Sequence, residues 1–122
     1  MSNLNKKQFE AVETVNGPVV IIAGPGTGKT KTLVERTVNI LVNKEVEAKK
    51  IMITTFTNKA AKELEFRINE KLEELDESID ISDMYLGTMQ DLYKKISLIL
   101  IFLITLSLWV EIMSNIFLFI QD

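Results

Sequence analysis

The sequence predicts an α/β fold in which a parallel sheet is flanked by helices and followed by a separate apolar helix. Two apolar runs of strand length, at 19–23 and 51–55, alternate with stretches whose apolar residues recur every three or four positions. A weaker third strand is predicted at 83–86. The order strand, helix, strand, helix, strand is typical of a parallel sheet with helices on its faces.

The helices are predicted from apolar spacing and from their caps. The first begins after Asn5, a good N-cap, and Gln8 three residues later completes the pattern of a capping box. The second is predicted from 29 to about 43, and the third from 58 to about 75, where apolar residues are spaced three or four apart. Thr88 is placed to cap a fourth helix.

The composition excludes several kinds of active site. The 122 residues include no Cys and no His, so a disulfide framework, a thiolate nucleophile, a Ser–His–Asp triad and an imidazole metal site are ruled out. The net charge is −3, from 14 basic and 17 acidic residues. That balance argues against nucleic-acid binding over the whole surface but leaves a local basic groove open.

The composition changes abruptly after residue 95. Residues 1–95 contain all 14 basic residues and 15 of the 17 acidic ones. Residues 96–122 contain 19 apolar residues in 27 and no Gly, Pro or basic residue. We therefore predict two parts, a domain over 1–95 and a hydrophobic segment over 96–122.

A phosphate-binding loop is predicted at 23–30, where the chain has Ala-Gly-Pro-Gly-Thr-Gly-Lys-Thr. This is the Walker A pattern with alanine in place of the leading glycine. Glycines permit positive φ and let backbone N–H groups approach phosphate oxygens, and a helix N-terminus favours an anion. Lys29 would supply charge to the β- and γ-phosphates, and the Thr30 hydroxyl would be a ligand for Mg²⁺. The alternative is a glycine-rich turn that only links a strand to a helix.

The predicted nucleotide-binding residues of the loop are Ala23, Gly24, Pro25, Gly26, Thr27, Gly28, Lys29 and Thr30. The candidate catalytic residues among them are Lys29 and Thr30, and the candidate metal ligand is Thr30. This assignment requires a strand at 19–23 that leads into the loop, and backbone nitrogens from Gly26 to Thr30 that face a common hollow. If either the strand or the shared hollow is absent, the inferred descent from a nucleotide-driven motor loses its basis.

Four ordered segments within 4–93 resemble superfamily 1 helicases of the UvrD/Rep type. Residues 4–12, Leu-Asn-Lys-Lys-Gln-Phe-Glu-Ala-Val, resemble the Q motif, and 23–30 resembles motif I. Residues 55–64, Thr-Phe-Thr-Asn-Lys-Ala-Ala-Lys-Glu-Leu, resemble motif Ia, and 86–89, Leu-Gly-Thr-Met, resemble the start of the next motif. The resemblance implies a partial P-loop NTPase domain with a RecA-like sheet, ATP and Mg²⁺ as cofactors, and an intact helicase that unwinds DNA.

The resemblance also implies roles for individual residues. Gln8 would hydrogen-bond the adenine edge and select ATP, although taken alone it is most simply a capping residue. Phe56 would offer a ring on which a base of single-stranded DNA stacks, although taken alone it is more simply a core aromatic. The predicted DNA-binding residues are Thr55, Phe56, Thr57, Asn58 and Thr88.

Two departures from the family pattern argue against activity. After Gly87-Thr88-Met89 the family continues with His-Ser, whereas this chain has Gln90-Asp91, and a carboxylate there would repel a phosphate backbone. The 122 residues also lack the later family motifs, namely the acidic metal-binding motif, the sensor glutamine, the arginine fingers and the second motor domain. We expect this polypeptide alone neither to hydrolyse ATP efficiently nor to unwind DNA.

The segment 96–120 has three interpretations. It is interrupted by one charge, Glu111, and as a helix it would reach about 37 Å, enough to cross a membrane core of about 30 Å. Lys94 and Lys95 would then keep residues 1–95 in the cytoplasm, which gives a membrane-tethered nucleotide- or DNA-binding module. A buried core helix is the second interpretation.

The third interpretation is a frameshift or truncation near residue 95, because the composition changes where the family resemblance stops. The chain would then be a non-functional remnant with an out-of-frame tail. The sequence predicts no oligomeric state.

Overall fold

The computed structural model describes the backbone of residues 3–120 and the side chains of residues 3–110. Within that range the elements are α1 (Lys6–Glu13), α2 (Lys29–Val42), a short 3₁₀ helix (Ala48–Lys50), β1 (Met52–Thr55), α3 (Asn58–Glu74), β2 (Tyr85–Thr88) and α4 (Met89–Ile120). β1 and β2 form a parallel two-stranded sheet. The α/β class, with a parallel sheet and an apolar C-terminal helix, is therefore confirmed. The RecA-like arrangement of the sheet stays a prediction.

The core forms where α3 packs against both strands and against α2. β1 and β2 pair in register from Met52 with Tyr85 to Thr55 with Thr88, and α3 provides the crossover that parallel strands require. The buried core residues are Val34, Val38, Leu41, Ile53, Leu64, Ile68, Leu72, Ile81 and Met84. The carboxyl ends of β1 and β2 thus lie side by side, next to the start of α3.

The helix predictions are confirmed in most details. Asn5 Oδ1 accepts from Gln8 N at 2.9 Å, and Gln8 Oε1 accepts from Asn5 N at 2.9 Å, which is the predicted capping box. Four of the five apolar positions predicted to form the inner stripe of α3 are buried, namely Ala61, Leu64, Ile68 and Leu72. The fifth, Leu75, is half-exposed because it lies at the C-cap, beyond the last turn.

The strand predicted at 19–23 is wrong, because the structure has no strand there. Val20 and Ile22 are 85% and 95% exposed. Over residues 3–120 the sheet has two strands, and the run 19–23 pairs with neither. A strand needs a neighbour to satisfy its N–H and C=O groups, and an apolar run predicts burial without supplying that neighbour. The strand predicted at 83–86 is confirmed with a shift, since β2 starts at Tyr85.

α4 is one continuous helix of 32 residues that passes residue 95 without a break. The predicted cap is confirmed, since Thr88 Oγ1 accepts from Asp91 N at 3.1 Å. Met89–Val110 is long and apolar enough to cross a membrane by length and composition, and none of it is buried. The described residues alone do not bury this part of the tail, and its interpretation as a core helix stays a prediction. The side chains at 111–120, Glu111 among them, and residues 121–122 lie outside the described residues.

Candidate nucleotide site and nucleic-acid contacts

The glycines of the predicted phosphate loop adopt backbone angles that other residues rarely take. Gly26 has φ +72° and Gly28 has φ +85°. Gly28 is also the N-cap of α2, so the helix begins at Lys29 as predicted. The bend is closed by Thr27, whose Oγ1 donates to the Gly24 carbonyl at 2.7 Å. Positive φ is the conformation for which glycine is preferred, so the residue types of the loop match its geometry.

The start of α2 is electrostatically suited to an anion. Its first turn contains Lys29 and Lys31 and no acidic residue, and none of the side chains described at 3–110 caps it. The first N–H groups of a helix have no partner within the helix, and the helix dipole adds partial positive charge there. Together these features make the end of α2 a place where a phosphate group would be stabilised.

A cavity of about 330 Å³ opens beside this helix end. Its walls come from α2 and from the turn between β1 and α3, and its lining residues are Lys29, Thr30, Leu33, Thr55, Phe56, Thr57, Ala60, Glu63 and Leu64. The structure thus brings together the last two residues of the predicted nucleotide loop and three of the predicted DNA-contacting residues. They meet because α2 and β1 both pack against α3.

The turn after β1 presents an aromatic ring to solvent. Phe56 is 99% exposed, so it is not the core aromatic that the residue alone would suggest. Thr55 Oγ1 donates to the Thr57 carbonyl at 2.9 Å, and Thr57 Oγ1 accepts from Ala60 N at 3.1 Å. Thr57 is the N-cap of α3, and Asn58 is its first residue. The backbone on both sides of Phe56 is therefore fixed, while the ring itself stays free to contact a ligand.

Thr88 is placed differently from the other predicted DNA-contacting residues. It is 8% exposed, and its hydroxyl donates to Asp91 Oδ2 at 2.7 Å while accepting from Asp91 N. Thr88 pairs with Thr55 across the sheet but does not line the cavity. In this conformation its hydroxyl serves the cap of α4.

Gln8 connects α1 to the phosphate loop. Its Nε2 donates to the Thr27 carbonyl at 3.0 Å, while its Oε1 serves the capping box of α1. A Cβ built at Gly28 would lie 3.0 Å from the same Nε2 atom. The segments resembling the Q motif and motif I are therefore in direct contact, and the capping role of Gln8 does not prevent that contact.

Two polar residues that the sequence analysis missed hold α1 against α2. Arg36 Nη1 donates to the Ala11 and Thr14 carbonyls, and Asn39 Nδ2 donates to the Val12 carbonyl at 3.0 Å. Asn39 is buried. The sequence carried no clear signal for either residue, because Arg36 lies between Glu35 and Thr37 and Asn39 has Glu35 and Asn43 four positions away.

An ion pair joins α2 to α3 near the carboxyl end of α3. Lys71 Nζ lies 2.8 Å from Glu74 Oε2 and 3.6 Å from Glu35 Oε1. The hydrogen bond to Glu74, with the charge of Glu35, raises the pKa of Lys71 against the opposing effect of burial. The charge on Lys71 is therefore stabilised by folding.

Comparison with known proteins decides the family. The model of the UvrD/REP helicase N-terminal domain matches residues 4–102. The chain belongs to this family. It is 47% identical over 68 residues to the ATP-dependent DNA helicase PcrA of Staphylococcus epidermidis, covering 56% of this chain and 9% of that protein. It is 38% identical over 85 residues to the ATP-dependent DNA helicase PcrA of Staphylococcus aureus, covering 70% of this chain and 12% of that protein.

The chain spans about a tenth of the length of the curated relatives that it matches.

Membership in the UvrD/REP family corrects one expectation, which concerns the strand before the phosphate loop. Membership holds although no strand leads into the loop from 19–23, so the requirement for that strand was too strict. The resemblance rests on four motifs in order, and these do not depend on whether one of them is preceded by a paired strand.

Proposed function

We propose that residues 1–95 are the part of a helicase motor domain that binds ATP and Mg²⁺ and contacts single-stranded DNA. The observation that supports this most directly is the cavity that Lys29 and Thr30 share with Thr55, Phe56 and Thr57. One wall has the charge and hydroxyl that a triphosphate and its metal need. The other has an exposed ring and hydroxyls suited to a base and a phosphate backbone.

The base of the nucleotide would be selected by Gln8. A glutamine amide has two N–H donors and two acceptor lone pairs, and Gln8 uses one of each for Thr27 and Asn5. The remaining donor and acceptor match the edge of adenine that carries the N6 amino group and N7. Guanine offers two acceptors along the same edge, so it would oppose the free lone pair of Gln8. The site therefore favours ATP over GTP.

We propose further that these 122 residues alone do not hydrolyse ATP efficiently or unwind DNA. Phosphoryl transfer needs a second acidic ligand for Mg²⁺ and a cation to stabilise the charge on the γ-phosphate. The Asp76-Glu77 pair follows the end of α3, at the opposite end of that helix from Thr57 and the cavity. Turnover would require the acidic motif, the arginine fingers and the second motor domain from elsewhere.

Nucleotide binding can be tested with the full chain in detergent micelles and a fluorescent non-hydrolysable ATP analogue with Mg²⁺. Lys29→Ala should weaken binding about tenfold or more, because a charged group that contacts phosphate is lost. The matched control is Lys44→Ala, which removes the same charge beyond the opposite end of α2 and should change the affinity less than about twofold. Wild-type protein that does not bind, or equal binding by Lys29→Ala, would contradict the proposal.

A second proposal concerns α4, which we place in a lipid bilayer. The exposed helix Met89–Val110, which carries no charge from residue 96 onward, supports it, because a helix segment that is apolar on all sides needs either a protein core or lipid around it. With Lys95 at one surface, a core of about 30 Å ends near residue 115, so Glu111 would lie about 6 Å from the far surface. The cost of that carboxylate is then smaller than at the bilayer centre. Residues 1–95 would remain on the cytoplasmic side.

Flotation with phosphatidylcholine–phosphatidylglycerol vesicles, followed by extraction at alkaline pH, tests the membrane proposal. Wild-type protein should float and resist extraction. Leu103→Arg should be released, because arginine near the middle of the span costs about 3 kcal/mol on the insertion scale. Leu103→Ile is the matched control and should behave as wild type. Release of the wild-type protein by salt, or its recovery only in inclusion bodies, would rule out an integral anchor.

A further inference from the structure

The carboxyl end of α1 is held in place by side chains from α2. Arg36 Nη1 donates to the carbonyl of Ala11 and, at 2.5 Å, to that of Thr14. Asn39 Nδ2 donates to the carbonyl of Val12 at 3.0 Å, and Asn39 Oδ1 in turn accepts from Asn43 Nδ2 at 2.7 Å. The carbonyls of Ala11 and Val12 in α1, and that of its C-cap residue Thr14, thus have partners that lie more than 20 residues away in sequence.

These contacts matter because α1 is too short to be stable by itself. The helix has eight residues, of which Val12 is buried. Helices shorter than about 12–15 residues are marginal in water unless packing holds them. The last carbonyls of a helix lack partners within it, and a cation there also interacts favourably with the helix dipole. Arg36 and Asn39 satisfy both needs.

The position of α1 determines the position of Gln8. Gln8 is one turn before Ala11 on the same helix, so a rotation or shift of α1 moves its amide. That amide reaches the Thr27 carbonyl at 3.0 Å, and one of its donors and one of its acceptor lone pairs have no partner among the described residues. Two-point hydrogen bonding to a base tolerates little displacement, because both bonds must keep a donor–acceptor distance near about 3 Å and an angle above about 120°.

We infer that Arg36 and Asn39 are positioning residues for nucleotide-base selection. They dock the carboxyl end of α1 so that the free donor and acceptor of Gln8 face the adenine edge of the nucleotide held by the phosphate loop. This rests on the proposed function, in which that loop binds ATP. Neither residue contacts the nucleotide, and both act through Gln8.

The test compares binding of a fluorescent ATP analogue and the matching GTP analogue, with Mg²⁺, to the full chain in detergent micelles. Arg36→Ala should lower the ratio of ATP to GTP affinity by about fivefold to tenfold. This is the factor expected when one hydrogen bond between Gln8 and adenine is lost because Gln8 has moved. Asn39→Ala should lower the ratio in the same direction. Arg36→Lys, which keeps a cationic donor, should recover part of it. Arg67→Ala is the matched control, because Arg67 bonds only Glu63 on the surface of α3 among the described side chains and should leave the ratio unchanged.

The ratio separates positioning from simple stability. A variant that only unfolds part of the population weakens both nucleotides equally and leaves the ratio intact, which would overturn the inference. If Arg36→Ala loses its helical circular dichroism and binds neither nucleotide, Asn39→Ala and Arg36→Lys decide the matter. If Lys29→Ala bound both nucleotides as tightly as the wild type does, the proposed function would be overturned instead. A wild-type protein that prefers ATP, with the preference kept in all three variants, would overturn this inference alone.

Discussion

Gln8 Nε2 donates to the Thr27 carbonyl at 3.0 Å, which ties α1 to the phosphate loop across 19 residues of sequence. The Gln8 amide also packs closely against Gly28, since a Cβ at Gly28 would lie 3.0 Å from the same nitrogen. The absence of a side chain at Gly28 therefore serves two purposes. It permits φ +85° at the start of α2, and it leaves room for the Gln8 amide.

Gly28→Ala should damage both features. The left-handed conformation costs a non-glycine residue about 1–2 kcal/mol, and the new methyl group should push Gln8 away from Thr27. We expect a lower urea midpoint and weaker binding of an ATP analogue. Gly17→Ala is the control, since Gly17 has φ +80° with open space around it. It should lose similar stability and keep its nucleotide affinity.

A double-mutant cycle isolates the contact. If the methyl group acts through Gln8, the binding losses of Gly28→Ala and Gln8→Ala should add to more than the loss in the double variant. Additive losses would show that the alanine acts on the loop backbone alone.

The ion pair between α2 and α3 should stabilise the fold only while Lys71 is charged. Folding raises the pKa of Lys71 above its usual 10.5, so its contribution is fully present below that pH and is lost as the pH rises through the raised value. Glu35→Gln should therefore reduce the free energy of unfolding by about 1 kcal/mol or less at pH 8. Urea titrations at pH 8 and above pH 11 check this, because the wild type and the variant should converge at the higher pH. An equal difference at both pH values would show that the pair is not the cause.

The sequence was sufficient to predict features that depend on nearby residues, but not strand pairing or contacts between residues far apart in the chain. The α1 capping box and the apolar stripe of α3 depend on residues three or four apart, so their patterns are sufficient to predict them. The run 19–23 depends on a neighbouring strand, which its own residues cannot reveal. Arg36 was missed for the same reason, because its partners lie 22 and 25 residues away on another helix.

Phe56→Ala should weaken binding of single-stranded DNA without changing stability. Stacking on an aromatic ring contributes about 1–3 kcal/mol per base, while a side chain that is 99% exposed adds little to the core. Fluorescence anisotropy with a labelled oligonucleotide measures the affinity, and a urea titration measures the stability. Phe66→Ala, which removes an exposed ring from α3 outside the cavity lining, is the control and should keep its affinity. Equal losses in the two variants would indicate that Phe56 has no specific role.

Asp91→Asn should increase the affinity for single-stranded DNA. The carboxylate of Asp91 lies 2.7 Å from the Thr88 hydroxyl at the start of α4, next to the strand end that Thr55 shares with Thr88. Asparagine keeps an oxygen that accepts from Thr88, so the cap should persist while one negative charge is removed. We expect an affinity gain of about twofold to fivefold at low salt that shrinks as the salt concentration rises.

The control for this charge change is Asp76→Asn. Asp76 has φ +58°, which asparagine tolerates, and it follows the end of α3 that is opposite to Thr57. Its removal changes the net charge equally but lies away from the proposed DNA contacts, so the affinity should rise little. If both variants gain equally, the effect belongs to the overall charge of the protein. If Asp91→Asn gains nothing at any salt concentration, DNA does not approach the start of α4.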